Sequence, residues 1–265
     1  MQSDLFGFAY CPKWAELLNR LEKLALLEDW KYKQPQPDRK NTENPILENY
    51  IIHTFRRLAY EYDRATPGEK AQLFYESADG NKLCFHTGLF TRKYEIVYAC
   101  FAPNPIPNQQ RWMLKGFSDN SDPFFDDIES LPRRANYFAN IAELIYDTKM
   151  ELRVNKAHIL GREENRSRLP EKLRDLPMLD MLFQGAVELA MKKVEANYKA
   201  AVPQFYDGEI CFLLPICLSS NETVDLSLAV KRYEGFYKGT TCLTLDMAYN
   251  NARLLACPNS DWLRP

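Results

Sequence analysis

Asp246, Tyr249, Asn250 and Arg253 are spaced by three and four residues near the end of the chain, just after the β-rich run Thr240 to Leu245. Those offsets put a carboxylate, a phenol, an amide and a guanidinium on roughly one side of a helix that starts where a strand stops. The first N–H groups of such a helix are unpaired and favour anions, so the junction reads as a polar ligand site. The same residues also have a plainer reading. Asp246 suits an N-cap, and Arg253 suits the negative end of a helix.

A second group is Arg162, Asn165, Arg166 and Arg168 within seven residues. The planar guanidinium fork matches phosphate oxygens, so this loop is a candidate phosphate site. The interleaved Glu163, Glu164 and Glu171 give the alternative, a loop held together by its own ion pairs. His158 comes just before it, at the expected end of a strand, and is the candidate acid/base, because imidazole titrates near neutrality. His86 stands in Phe85-His86-Thr87-Gly88-Leu89, at another expected strand exit. There Thr87 offers a hydroxyl and Gly88 allows close approach of a ligand to the backbone. His53 reads as a structural histidine inside a helix. Tyr198-Lys199 and Tyr237-Lys238 each set an aromatic ring beside an ammonium, a pairing that suits a base and its phosphate.

Several common chemistries leave no signature. The sequence has no G-x-G-x-x-G, Walker loop, H-E-x-x-H, G-x-S-x-G or H-x-E…C-x-x-C pattern. The seven cysteines form no C-x-x-C pair and mostly sit in apolar runs, so neither zinc nor disulfides are expected. Free thiols in turn fit a reducing cytoplasm. The net charge of −2 excludes a whole-molecule basic field for nucleic acid and leaves a local patch open. No stretch is long and apolar enough to span a membrane, and the first residues do not resemble a signal peptide. The acidic run 118–129 matches no calcium loop and reads as a solvated turn.

The elements that must position these residues follow from hydrophobic spacing. Pro12 to Leu27 and Pro45 to Arg64 keep helical periodicity, with a polar loop over 30–44 and a stop at Thr66-Pro67-Gly68. Residues 71–77 and 82–85 flank an Asp-Gly turn and read as a hairpin. Strands are further expected at 94–101, 110–117, 151–160, 209–218, 223–231 and 240–245. A short helix is expected at 136–146 and a long one over 178–199. Strands grouped together with helices before and between them predict an α+β fold. The expected fold is a mainly antiparallel sheet with N-terminal and central helices packed on it. Residues 1–44 would form a helix and loop against a single domain over 45–265.

Leu47 to Phe55, Phe85 to Leu89, His158-Ile-Leu, Asn165-Arg166, Asn197 to Pro203, Leu214-Pro215, Asp225 to Ala229 and Thr240 to Leu254 together resemble the domain of unknown function 3825 family. The resemblance spans about residues 45 to 264. The family pattern carries Asn where this chain has His86, which speaks against a histidine mechanism there. What the resemblance implies is an accompaniment of RNA-binding modules, and no reaction. The leading expectation is therefore a protein that binds RNA or a phosphorylated nucleotide, with Tyr249 or Tyr237 stacking on a base. The alternatives are a phosphoester-processing enzyme using His158, Arg166 and Arg253, and a protein-interaction domain. No cofactor is expected, and a homo-oligomer is left open. The arginine loop and the C-terminal junction are expected to meet in space.

Overall fold

Internal contacts divide the chain between Asn136 and Tyr137, not at residue 44, and each unit builds its own five-stranded sheet. The computed structural model describes residues 1–33 and 43–264; most of the loop expected over 30–44 lies outside them.

In the first unit, α1 (Leu5–Phe8) and β1 (Ala9–Tyr10) precede α2 (Trp14–Leu24), α3 (Pro45–Arg64) and α4 (Pro67–Ala71). Then come β2 (Tyr75–Glu76), β3 (Leu83–Phe90), β4 (Ile96–Pro103) and β5 (Trp112–Asp119), in the sheet order β1-β5-β4-β3-β2. The long helix has the bounds its periodicity predicts, and Pro45 starts it because the first turn needs no proline N–H. Its buried stripe includes Leu47, Tyr50, Ile51, Phe55 and Leu58. Phe55 meets Phe8, Phe74 and Phe85, and Phe85 meets Phe101, an aromatic core between helix and sheet. Each fully buried ring contributes about 1.5–3 kcal/mol. Thr66-Pro67-Gly68 ends one helix but also starts the next, because Thr66 and Glu69 form a capping box. Of the strand expected over 71–77 only Tyr75–Glu76 forms; Ala71 ends that helix and residues 72–73 are a turn.

In the second unit, β6 (Glu151–Val154), α5 (Lys156–Leu160), α6 (Glu163–Arg168) and α7 (Leu179–Ala196) lead into a four-strand meander. Its strands are β7 (Val202–Tyr206), β8 (Glu209–Ile216), β9 (Leu226–Tyr233) and β10 (Phe236–Leu243); α8 (Leu245–Arg253) follows. The order is β6-β10-β9-β8-β7. The Asp225 carboxylate accepts the Leu218 and Ser219 N–H groups at 2.7 and 2.8 Å, closing the turn before β9.

The α+β class holds, but a mainly antiparallel sheet does not: both sheets are mixed, since β1 pairs with β5 and β6 with β10 in parallel. The strand expected over 151–160 is half strand and half helix. Asn155 stops it by capping α5, accepting the His158 N–H at 3.0 Å. β7 is a strand that the hydrophobic spacing does not predict; its Pro203 is tolerated because an edge strand's outer N–H needs no partner. The helix expected over 136–146 is only a 3-10 turn, Ile141–Leu144.

The second sheet has helices on both faces. Phe212, Leu214, Ile216, Leu228, Val230 and Tyr237 form one core with α7 residues Phe183, Val187, Ala190 and Val194. The alternate residues face the other way. On that face Asn251 of α8 donates to buried Gln204 of β7 at 3.0 Å.

Candidate nucleic-acid interface on the second sheet

The arginine loop is engaged by its own unit. Buried Asn165 donates to the Ile159 carbonyl at 2.9 Å, and its amide oxygen accepts the Thr241 hydroxyl at 2.6 Å and the Cys242 N–H at 3.4 Å. Arg168 donates to the Cys242 carbonyl at 2.6 Å and pairs with Glu164. Strand β6 covers β10 only from Phe236 to Gly239, so Cys242 has lost its neighbour strand there. Two side chains of α6 take that strand's place and satisfy the exposed edge. Arg166 donates to the Arg174 carbonyl at 2.9 Å and lies 3.3 Å from Asp175. Arg162 is exposed. His158 is exposed on α5 rather than at a strand end.

The C-terminal junction is mostly interior. Thr244, not Asp246, caps α8 by accepting the Met247 N–H at 3.3 Å. Asp246, Tyr249 and Arg253 are buried, and Asn250 is half-buried. Tyr237 is fully buried, stacked on Tyr146 at 4.3 Å, and its hydroxyl accepts the Asp147 N–H at 3.0 Å; it has no free face for a base. The loop and the junction do meet, through Asn165 and Arg168 at Thr241 and Cys242. Arg166 bonds instead to the Arg174 carbonyl. α6 contacts β10, and α8 packs chiefly on β7 with smaller contacts to β9 and β10.

His86, Thr87 and Gly88 belong to the first unit and lie within β3, which runs on past the expected exit at Phe85. The register slips between His86 and Phe90, and Gly88 takes φ +81°. A Cβ at Gly88 would collide with the Tyr50 hydroxyl. The Thr87 hydroxyl donates to the Val97 carbonyl at 2.6 Å. His86 Nδ1 accepts the Gly88 N–H at 2.8 Å, which leaves the ring's proton on Nε2. Burial, with Arg134 nearby, lowers its pKa to about 4, so the ring is neutral at pH 7.

A different set of side chains stands outward, on the face of the second sheet opposite α7. Arg153, Lys238 and Lys231 are direct cross-strand partners on β6, β10 and β9. Arg153 pairs with Glu151 at 2.7 Å and Lys231 with Glu209 at 2.5 Å. Among the described residues the exposed Lys238 ammonium meets no carboxylate. One row along, Phe236 and Tyr233 are also partners, their rings stacked at 5.2 Å and 8°. The Arg153 guanidinium lies 4.1 Å over Phe236. A cleft of about 680 Å³ opens beside them, lined by Arg153, Asn155, Lys156, Phe236 and Lys238 among others. Tyr237 and Lys238 are adjacent in sequence. Alternation along a strand sends the two to opposite faces, and the ring that accompanies Lys238 is Phe236. The alternating charged and aromatic residues of 231–238 were the available signal.

Among the described residues no group of three His, Cys, Asp or Glu side chains could hold a metal ion, and no helix is long and apolar enough to cross a membrane. Cys84, Cys100, Cys211, Cys217 and Cys242 are buried free thiols, Cys11 is half-buried and Cys257 is exposed. No curated protein and no solved structure matches the chain. One family model does, described as a domain of unknown function (DUF3825), over residues 21–262, and the chain belongs to that family.

Proposed function

We propose that this protein binds RNA or a phosphorylated nucleotide on the outward face of its second sheet. The observation that carries the reading is the registered row Arg153, Lys238, Lys231 with the Phe236–Tyr233 pair beside it. Lys238 supplies an ammonium free to take a phosphate. Arg153 and Lys231 flank it within one strand spacing on either side, about 4.8 Å. Both can turn from their carboxylates to phosphate oxygens, since exposed ion pairs hold by only about 0–1 kcal/mol. Tyr233, exposed, presents ring surface to a base, worth about 1–3 kcal/mol, and Phe236, already in contact with the Tyr233 ring and the Arg153 guanidinium, backs it.

This places the ligand away from the C-terminal junction, whose polar side chains are largely interior. The phosphoester-processing alternative needs Arg166 and Arg253 beside His158; Arg253 is buried whereas His158 is exposed, which favours binding over catalysis. The direct experiment is fluorescence anisotropy with a labelled single-stranded oligouridylate, competed by ATP and by duplex RNA. Saturable binding that weakens with salt supports the reading. No binding of any of the three at low salt removes it.

A further inference from the structure

A second cleft in the same unit, of about 520 Å³, has a different chemistry. Its walls are the 3-10 turns Ile141–Leu144 and Tyr198–Ala200, the start of β7, the end of α8 and the tail that follows. The floor is aliphatic, with Leu144, Val202, Pro203, Ala252 and Leu255. Ile141, Ile145 and Tyr198 stand at its mouth 65%, 49% and 57% exposed, apolar surface left in water. The tail wall is fixed in place, because Trp262 donates to the Ala200 carbonyl at 2.9 Å and Leu263 is fully buried.

The rim is rich in donors and carries one formal charge. Lys199 is the one Lys, Arg, Asp or Glu in the lining, and among the described residues its ammonium has no acid partner. The neighbouring tail segment 257–260 is irregular, and the backbone N–H groups of Asn259 and Ser260 meet no acceptor among the described residues. An aliphatic floor under a cationic, donor-rich rim is complementary to an amphiphilic anion. A volume in the range of about 300–1,000 Å³ suits a small molecule. The ring edges of a nucleobase need matched donors and acceptors, which aliphatic walls do not provide.

We propose that this cleft binds a medium-length acyl carboxylate, with its head on Lys199 and its chain along Val202, Ala252 and Leu255. This site is independent of the nucleic-acid reading. No covalent step is involved.

The test is isothermal titration of the whole chain with decanoate, decyltrimethylammonium and AMP. A parallel readout is the rate at which Cys257, which lines the cleft and is exposed, reacts with iodoacetamide. Decanoate is expected to bind and to slow alkylation, and the cationic amphiphile is expected to do neither. Lys199→Gln should weaken decanoate about tenfold, the scale of one lost charge-assisted hydrogen bond. Ile141→Glu, at an exposed position that leaves the fold intact, should weaken it by repulsion. Equal binding of both amphiphiles, preference for AMP, or decanoate binding unchanged in both variants would overturn the assignment.

Discussion

The Asn165 amide oxygen accepts the Thr241 hydroxyl at 2.6 Å across 76 residues of chain, and this bond ties α6 to the end of β10 that β6 leaves uncovered. The same oxygen takes the Cys242 N–H, so one side chain replaces a missing strand. Asn165→Ala should therefore cost about 2–3 kcal/mol, because it leaves buried backbone groups unsatisfied. Arg162→Ala, at an exposed position, should stay within about 0.5 kcal/mol of the parent. Urea unfolding of the two variants checks this. Equal stability in both would show that the loop does not hold the sheet edge.

His86 gives the first unit a pH dependence of known sign. Its folded pKa is lowered to about 4, below the ordinary value of 6.5. The unfolded chain therefore takes up the proton first as pH falls. Stability from the neutral ring is complete above pH 6.5 and is lost as pH falls toward 4. The scale is about 3 kcal/mol. In His86→Asn the new carbonyl oxygen can still accept the Gly88 N–H. That variant should flatten the pH 4–6.5 slope of the melting temperature while keeping stability at pH 7. A slope unchanged in His86→Asn would locate the effect elsewhere.

Gly88→Ala meets two obstacles at once, a positive φ and the Tyr50 hydroxyl. Destabilisation of at least about 2 kcal/mol is expected, above the strain of a left-handed alanine alone. Tyr50→Phe in the same background should recover part of it in chemical denaturation, since it removes the atom in collision. No recovery would mean that backbone strain alone sets the cost.

Native thiol titration should show Cys257 reacting fast and the buried cysteines slowly. Burial pushes the Cys84 and Cys242 thiols up to about 12 and holds back their thiolates. Rapid reaction of several thiols in the native protein would contradict the burial described.

The long helices and most strands were legible because burial imposes a period on the sequence, as in α3 and β8. Pairing that is set in three dimensions was not legible. Nothing local tells Pro203 that it will lie on an edge strand, or β6 that it will run parallel to β10. The polar residues chosen for chemistry were largely those that close the fold, Asn165 and Arg168 among them, because a sheet edge and a phosphate make the same demand for hydrogen-bond donors. Lys238 was visible as a lysine beside an aromatic. Its true companions, Arg153 and Lys231, came from register, which sequence spacing does not give.

The central claim rests on Lys238 as a phosphate contact with no acid partner among the described residues. Its most direct test is the salt dependence of oligouridylate binding by the parent and by Lys238→Ala. The account predicts that log K falls linearly with log salt, and that the variant's slope is shallower by about 0.7, one phosphate contact on a single strand. Phe236→Ala should weaken binding with the slope unchanged. A Lys238→Ala protein with the parent's affinity and the parent's slope would contradict the claim.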